Sequence, residues 1–244
     1  MKLRTLSLGT IGIAAAVVAS LRAAGTTPPP PVFSNPLSIT NPYHPFVPGR
    51  VKHFETQQGH TDAEVFDIYH TDTRTFAWNG TTVTCRVLEE HEMEDGLVSE
   101  ISLNYFAQAD DGGVYYFGEV VDTYDNGSVN GHGGSWLVGG PTLPSDPVET
   151  ANAPNPGLFM PDDPQVGDIF KPEDLFPFVD ETDEVIQTGK SVTVPAGHFF
   201  DCIQVRESSM LSDSTETKWY APDIGVIKVK EHGEVLSLDE VTDP

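Results

Sequence analysis

Positive charge and cysteine are both scarce in this sequence. Thirteen lysine and arginine residues stand against 37 aspartate and glutamate residues, which gives a formal net charge of −24. A protein of that charge repels phosphate backbones and anionic lipids, so its composition argues against nucleic-acid binding and against direct contact with an anionic membrane. The charge fits a soluble protein of an extracytoplasmic space, or one that meets cations or basic partners.

Motifs of catalysis are also missing. The eight histidines form no H-x-H or H-E-x-x-H pattern, and neither cysteine belongs to a C-x-x-C pair. Ser135 stands in Gly134-Ser135-Trp136 rather than in the G-x-S-x-G pattern of a nucleophile elbow. We therefore expect a protein that is not an enzyme and uses no cofactor. A hydrolase whose site assembles only in three dimensions stays open as an alternative.

Acidic segments keep divalent-cation binding open as a further alternative. Asp110-Asp111-Gly112 and Asp162-Asp163 carry neighbouring carboxylates but lack the spacing of an EF-hand loop. Ordinary turn chemistry explains aspartate beside glycine equally well. Glu89-Glu90-His91-Glu92 could ligate a cation, although successive residues of a strand point to opposite faces. Calcium and copper are the candidate cations, and no metal ligand is assigned.

The first 25 residues have the layout of a secretory signal peptide. Lys2 and Arg4 precede an apolar run from Thr5 to Leu21, and Ala23-Ala24-Gly25 supplies small residues for cleavage. The alternative is an uncleaved anchor, but as a helix the run reaches only about 25 Å, which is short for a bilayer. We predict a periplasmic or secreted protein that contacts a membrane only through a partner or an uncleaved N-terminal segment.

The remaining sequence predicts a mainly β, antiparallel protein. Residues 26–50 form a proline-rich tether and lead-in, and residues 51–244 form one β domain. The dipeptides Asn79-Gly80, Asp95-Gly96, Asp111-Gly112 and Asn126-Gly127 favour hairpin turns between the strands. Residues 139–182 are rich in proline and lack strand alternation, so we expect a long loop excursion there.

The sequence also matches itself, which predicts two related halves. The matching segments are Gly80–Val87 with Gly197–Val205, Tyr105–Gln108 with Trp219–Pro222, and Gly113-Val114 with Gly225-Val226. The halves, at about residues 75–138 and 190–238, would each form a β-meander that covers the apolar face of the other. The expected architecture is a sandwich or a curved, partly closed barrel.

Cys85 and Cys202 occupy equivalent positions in the two halves, and both would meet an oxidising compartment after export. We predict a disulfide between them, which would stabilise the fold by roughly 4 to 5 kcal/mol in the chain-entropy model. The alternative is a pair of buried, unpaired thiols that pack as small core residues.

Aromatic side chains form the candidate binding surface. Tyr115, Tyr116 and Phe117 lie in a strand that is apolar on both faces, and Trp136 follows nearby. Such residues ordinarily pack in the core. In a binding protein they would instead form a sheet face or a concave mouth that contacts a ligand. The predicted function is an exported, non-enzymatic binding or scaffold protein. It would be an extrinsic subunit of a membrane or envelope complex that docks on a protein partner, or a carrier of an apolar ligand.

Seven short segments of the sequence carry recognisable motifs. They are Tyr105–Gln108, Asp111–Glu119, Gly134–Trp136, Pro156–Pro161, Val166–Asp168, Val192–Gly197 and Trp219–Val226. In them the sequence resembles a family of uncharacterised secreted bacterial β-rich proteins, whose members carry W-Y-A-Q, G-N-V-W-Y-F-G-E, G-S-W, V-P-x-G and Y-Y-A-P-G-V-G. The resemblance covers most of residues 41–238 and departs at Asp223-Ile224, where the family often has a glycine turn. It implies an exported β-rich domain and no catalytic residues.

Overall fold

The structure, a computed structural model, describes residues 29–244, so the predicted signal peptide at residues 1–25 lies outside the described residues. All regular secondary structure in the described part is β. The predicted mainly β, antiparallel fold is therefore confirmed. Residues 29–244 contain no helix with the length and apolar character needed to cross a membrane.

The chain forms 15 strands. In order they are β1 (Val51–Gln58), β2 (Ala63–Trp78), β3 (Thr81–Glu94), β4 (Leu97–Gln108), β5 (Val114–Asp125), β6 (Ser128–Gly131), β7 (Trp136–Val138), β8 (Ala151–Ala153), β9 (Gly157–Met160), β10 (Ile169–Leu175), β11 (Val179–Val194), β12 (Gly197–Ser209), β13 (Ser212–Ala221), β14 (Gly225–Glu231) and β15 (Glu234–Thr242).

One curved sheet contains all of these strands, and it nearly closes on itself. The strand order is β10-β11-β12-β13-β14-β15-β1-β2-β3-β4-β5-β7-β8. Strand β9 pairs with β5, and its Gly157 lies against the backbone of Pro172 in β10. Strand β9 thus links β10, at one end of the path, with β5, two strands before the other end. Of the two expected architectures, the fold is the partly closed barrel.

Turn chemistry sets the register of the hairpins. Asn79-Gly80, Asp95-Gly96 and Asn126-Gly127 have positive φ at both residues, which is the geometry of a type I′ turn. At Asp111-Gly112 only the glycine has positive φ, and the Asp111 carboxylate instead accepts a hydrogen bond from the Gly113 amide.

The proline-rich stretch at residues 139–182 is more ordered than its sequence indicates. It contains β8, β9, β10 and the start of β11. Strands of three or four residues are too short to show a clear alternation, and their partners lie far away in sequence. The loop before β8 is fixed by Asp146, which forms a buried ion pair with Arg74 of β2 and accepts hydrogen bonds from two loop amides.

The predicted disulfide between Cys85 and Cys202 is wrong. Both cysteines are free and buried, and they belong to different hydrophobic clusters. Each predicted half contains a meander, β3-β4-β5 in one and β12-β13-β14 in the other, with one cysteine on the first strand of each. However, five strands separate β12 from β3 in the sheet. Equivalent positions in the two halves are therefore not neighbours.

Residues 39–47 cover one end of the barrel. Ile39 and Phe46 are buried in the core. The Asn41 amide donates to the carbonyl oxygens of Gly112 and Pro161, at 3.2 and 2.8 Å. The backbone amide of Asp223 donates to the Pro42 carbonyl at 2.8 Å. This segment therefore contacts both the β4–β5 turn and the β13–β14 turn.

Candidate functional site

The two ends of the barrel differ. The turns β1–β2, β3–β4, β12–β13 and β14–β15 lie at one end, here called the hairpin end. The turns β2–β3, β4–β5, β11–β12 and β13–β14 lie at the other, which residues 39–47 cover and which we call the closed end. Side chains near a given turn can therefore be assigned to one end or the other from the strand register.

Between these ends lies a cavity of about 110 Å³. Its lining includes carboxylates from Asp67, Glu90, Glu100, Glu119, Glu173 and Glu181, and the ammonium groups of Lys52 and Lys218. Aromatic side chains line the part nearest the closed end: Phe106, Tyr116, Phe159 and Tyr220. The cavity therefore has an apolar floor and strongly charged walls.

His44 of the covering segment also lines this floor. Its ring lies 4.6 Å from the rings of both Phe106 and Phe159. Burial lowers the pKa of His44 to about 3, with a further contribution from the positive charge of Lys52. The imidazole is therefore neutral at any physiological pH and adds no positive charge to the site.

A row of polar side chains crosses β1 to β4 inside the barrel. Lys52, Asp67, Glu90 and Ser102 are successive cross-strand partners. The Lys52 ammonium is fully buried and lies 3.2 Å from the Asp67 carboxylate and 4.9 Å from the ring centre of Phe54. Burial raises the pKa of Asp67 to about 6, and the effect of Glu90 adds to it while Lys52 opposes it. The same burial lowers the pKa of Lys52.

A second row crosses β11 to β14 and consists of acids alone. Asp183, Glu207, Glu216 and Glu231 are directly opposed, each to the next. Like charges in that position destabilise a sheet. Lys218 lies beside the row, with its ammonium 2.6 Å from Glu207 and 3.4 Å from Glu216.

Burial perturbs the titration of this second row. It raises the pKa of Glu216 to about 8, with Glu207 and Glu231 acting in the same direction and Lys218 against it. The pKa of Asp183 is raised well above its usual value by burial and by the charge of Glu181. Burial alone would lower the pKa of Lys218, but the surrounding carboxylates outweigh it and raise that pKa.

Acidic side chains of β3 and β4 face the second row from the other side of the barrel. Glu92 and Glu100 are cross-strand partners close to the β3–β4 turn. Burial raises the pKa of Glu92 well above its usual value, and the charges of Glu90, Glu100 and Glu216 add to the effect. Glu92 Oε1 and Asp183 Oδ1 are both buried and have no hydrogen-bond partner in the described part of the chain. Negative charge is thus concentrated toward the hairpin end.

The four aromatic residues predicted as a binding surface occupy different places in the fold. Tyr116 lines the cavity and donates its hydroxyl hydrogen to Asn104 Oδ1. Trp136 is buried 5.2 Å from the Tyr116 ring and donates to Glu173 at 3.1 Å. Tyr115 and Phe117 lie on the opposite face of β5, where the Phe33 ring covers both at 5.6 and 5.5 Å. Only Tyr116 reaches the cavity, because alternation along a strand separates neighbouring side chains.

The charged stretch Glu89–Glu92 is likewise divided between two faces. Glu90 lines the cavity, whereas Glu89 lies between His70 and His91 on the other face, 2.6 Å from the His70 ring nitrogen. Burial opposes the shift, but the two histidines hold the pKa of Glu89 below its usual value. The His198 Nδ1 atom lies 2.6 Å from the Thr193 hydroxyl oxygen.

A second histidine lies among acids on the surface. His53 Nε2 is 3.2 Å from Glu64 and 3.9 Å from Glu55, and its Nδ1 is 4.0 Å from Asp239. The imidazole is stacked on Phe66 and is partly exposed to solvent. These are contacts of a partly exposed side chain, and surface pairs of this kind contribute little to stability.

The candidate nucleophiles of the sequence are a hydrogen-bonded serine hydroxyl and two buried thiols. The Ser135 hydroxyl accepts a hydrogen bond from the Val121 amide at 2.9 Å. Burial raises the pKa of the Cys85 thiol well above its usual value, and it also raises the pKa of the Cys202 thiol. A buried thiol with a raised pKa is a poor nucleophile.

The acidic interior was not predicted, although the strand pattern of the sequence indicates it. Glu181 and Asp183 occupy the same strand face as Val185, and Glu216 and Lys218 the same face as Tyr220. Charged residues in phase with core residues indicate a polar interior rather than a solvated face.

Comparisons with known proteins add little to this geometry. No protein-family model and no curated protein matches the chain. Among solved structures it is similar to the crystal structure of a "putative lipoprotein" from Parabacteroides distasonis, with 13% sequence identity and a TM-score of 0.43. The match covers 83% of this chain and 99% of that one.

Proposed function

We propose that this chain is an exported, non-enzymatic binding protein whose barrel interior takes a small, positively charged ligand. The observation that carries the proposal is the row Asp183, Glu207, Glu216 and Glu231, in which buried or nearly buried acids oppose one another across four strands. Such a row costs stability in the empty protein. A bound cation would offset that cost, and binding to the folded state alone would stabilise the fold.

The size and polarity of the cavity restrict the ligand. Its volume of about 110 Å³ is below the roughly 300 to 1,000 Å³ of typical small-molecule pockets. An apolar ligand would have to desolvate the carboxylates of the wall without pairing with them, which is costly. The cavity therefore favours a metal ion or a small organic amine over the apolar ligand that the sequence suggested.

The distribution of charge indicates how such a ligand enters. Residues 39–47 cover the closed end, whereas Glu92, Glu100 and Glu216 lie toward the hairpin end. A negative mouth attracts cations and raises their local concentration, and the net charge of −24 adds to this field. We infer that the cation enters from the hairpin end.

Export is supported by sequence alone. The signal-peptide layout of residues 1–25 and the acidic composition both fit a periplasmic or secreted protein. Extracytoplasmic spaces contain millimolar cations, so a site of modest affinity would be occupied there.

A hydrolase is the second candidate, because the pKa of Asp67 is raised to about 6 inside a cavity. Carboxyl groups with such values serve as general acids or bases near neutral pH. The small cavity limits this candidate to small substrates. A screen of chromogenic esters and glycosides with wild type and Asp67→Asn would support it only if wild type shows turnover that the variant lacks.

Thermal unfolding at pH 8 tests the proposed function. Calcium chloride, magnesium chloride and putrescine dihydrochloride would each be compared with sodium chloride at equal ionic strength. We expect at least one of the three cations to raise the melting temperature by several degrees, and Glu216→Gln to reduce that rise. Glu240→Gln, an exposed acid of β15, is the matched control and should behave as wild type. The absence of any cation-specific rise would refute the proposal.

A further inference from the structure

Three acids of the interior converge on one point. Glu181 and Asp183 lie two residues apart on β11, and Glu207 is the cross-strand partner of Asp183 on β12. One carboxylate oxygen from each residue lies within 4.8 Å of the other two. Three oxygens so placed could form one face of a coordination shell.

Asp183 supplies a second, independent observation. The residue is only 2% exposed, and its Oδ1 atom has no hydrogen-bond partner in the described part of the chain. Burying a carboxylate oxygen without a partner is unfavourable, and native proteins contain few such atoms. An unpartnered oxygen on a buried member of an acidic cluster indicates a group that binds there.

Charged groups from three strands face this point. Glu181, Glu207 and Glu216 act on Asp183 from β11, β12 and β13, and Lys218 of β13 acts on it with the opposite sign. The Lys218 ammonium is 2.6 Å from Glu207 but 3.9 Å from Glu181. A divalent cation at this point would lie among carboxylate oxygens from two strands.

The ligand atoms restrict the identity of the cation. All three are carboxylate oxygens, which hard cations such as Ca²⁺, Mg²⁺ and Mn²⁺ prefer, whereas copper and zinc favour nitrogen or sulfur. Three atoms no more than 4.8 Å apart lie within about 2.8 Å of a common centre. Calcium–oxygen distances of about 2.3 to 2.6 Å need a smaller contraction than the roughly 2.0 to 2.1 Å of magnesium.

We propose that Glu181, Asp183 and Glu207 bind one calcium ion inside the barrel, with waters completing its coordination. This inference rests on the proposed function and specifies the ligand class of the same interior. Lys218 stays beside Glu207 and limits the affinity through its positive charge. The site would therefore suit an extracytoplasmic calcium concentration.

Calorimetric titration of the full chain with calcium chloride at pH 8 tests this site. Wild type should show one saturable site, and Asp183→Asn should weaken binding at least tenfold. Glu184→Gln is the matched control, since Glu184 is the next residue on β11 and pairs with Arg206 on the outer face. Equal affinity in wild type and Asp183→Asn, or no binding to wild type, would overturn the proposal.

Two further readouts keep the outcomes distinct. Unfolding of Asp183→Asn in chelator shows whether the variant folds, and we expect it to be at least as stable as wild type because one of several closely spaced acids is gone. If Asp183→Asn does not fold, the titration is repeated with Glu207→Gln. Putrescine is titrated in parallel: if putrescine stabilises wild type and calcium does not bind, the calcium site is refuted and the proposed function stands. If calcium, magnesium and putrescine all have no effect, both proposals are refuted.

Discussion

Asp183 and Glu207 lie directly opposite each other on β11 and β12, with both carboxylates inside the barrel. A structural core would place apolar or oppositely charged residues at such a pair. Instead Glu216 and Glu231 extend the row of acids across the next two strands. The barrel therefore sacrifices stability for a charged interior, as binding sites generally do.

Lys218 is the internal counter-ion of this row, and its removal should be strongly destabilising. Lys218→Met removes the ammonium group beside Glu207 and Glu216, so we expect the free energy of unfolding at pH 8 to fall by about 3 to 5 kcal/mol. Urea denaturation measures the loss. Lys230→Met, which removes an exposed lysine of β14, should change little. A Lys218→Met variant as stable as wild type at pH 8 would contradict the account.

Stability without bound cations should fall as pH rises from 5 to 8. The pKa of Glu216 is about 8 in the folded protein against 4.5 in the unfolded chain, so the folded state holds the proton in this window while the unfolded state has lost it. The stabilisation is complete below about pH 4.5 and is lost as pH rises through the folded pKa.

We expect a loss on the order of 3 kcal/mol between pH 5 and pH 8, to which Asp67 and Asp183 add in the same direction. Carboxyl groups whose pKa is lowered, such as those of Asp146 and Asp180, change the stability only below this pH range. Urea denaturation in chelator at the two pH values measures the difference, and Glu216→Gln should reduce it. Stability that rises from pH 5 to pH 8 would rule out this explanation.

Closure of the barrel depends on Gly157. A Cβ atom there would lie 1.9 Å from the carbonyl oxygen of Pro172, so Gly157→Ala must push β9 away from β10. We expect a lower melting temperature and faster amide exchange in both strands. Gly59→Ala is the control, since its Cβ meets only the flexible side chain of Glu234. Unchanged exchange in β9 and β10 would show that this contact does not hold the barrel closed.

The two cysteines should behave as buried thiols. We expect no reaction of Cys85 and Cys202 with a chromogenic thiol reagent in the folded protein, and two reactive thiols per chain after unfolding without reductant. Dithiothreitol should leave the melting temperature unchanged. If no reactive thiol is detected after unfolding, the two cysteines form a disulfide, contrary to the structure.

Local sequence signals predicted the fold class and the hairpins but not the site. The turns at Asn79-Gly80 and Asn126-Gly127 are fixed by their own backbone preferences, so they could be identified from two residues. Alternation also separates Glu89 from Glu90, but it does not say which face is the interior. That depends on how far the whole sheet curves, which is set by β9 between β5 and β10.

The same limit applies to the cysteines and the aromatic residues. The repeat placed Cys85 and Cys202 at equivalent points, yet the distance between those points depends on the number of strands between them. Phe33 covers Tyr115 and Phe117 from a segment far away in sequence, so their burial could not be derived from β5 alone.

We propose that the barrel interior is an acidic site which exchanges protons for a cation. The most direct test counts the protons released when the tightest-binding of calcium, magnesium and putrescine binds wild type at pH 7. Calorimetric titrations in buffers of different protonation enthalpy give this number. Because Glu216 and Asp183 have raised pKa values, the account predicts release of about one proton or more per cation. Binding without proton release, or no binding by any of the three cations, would contradict it.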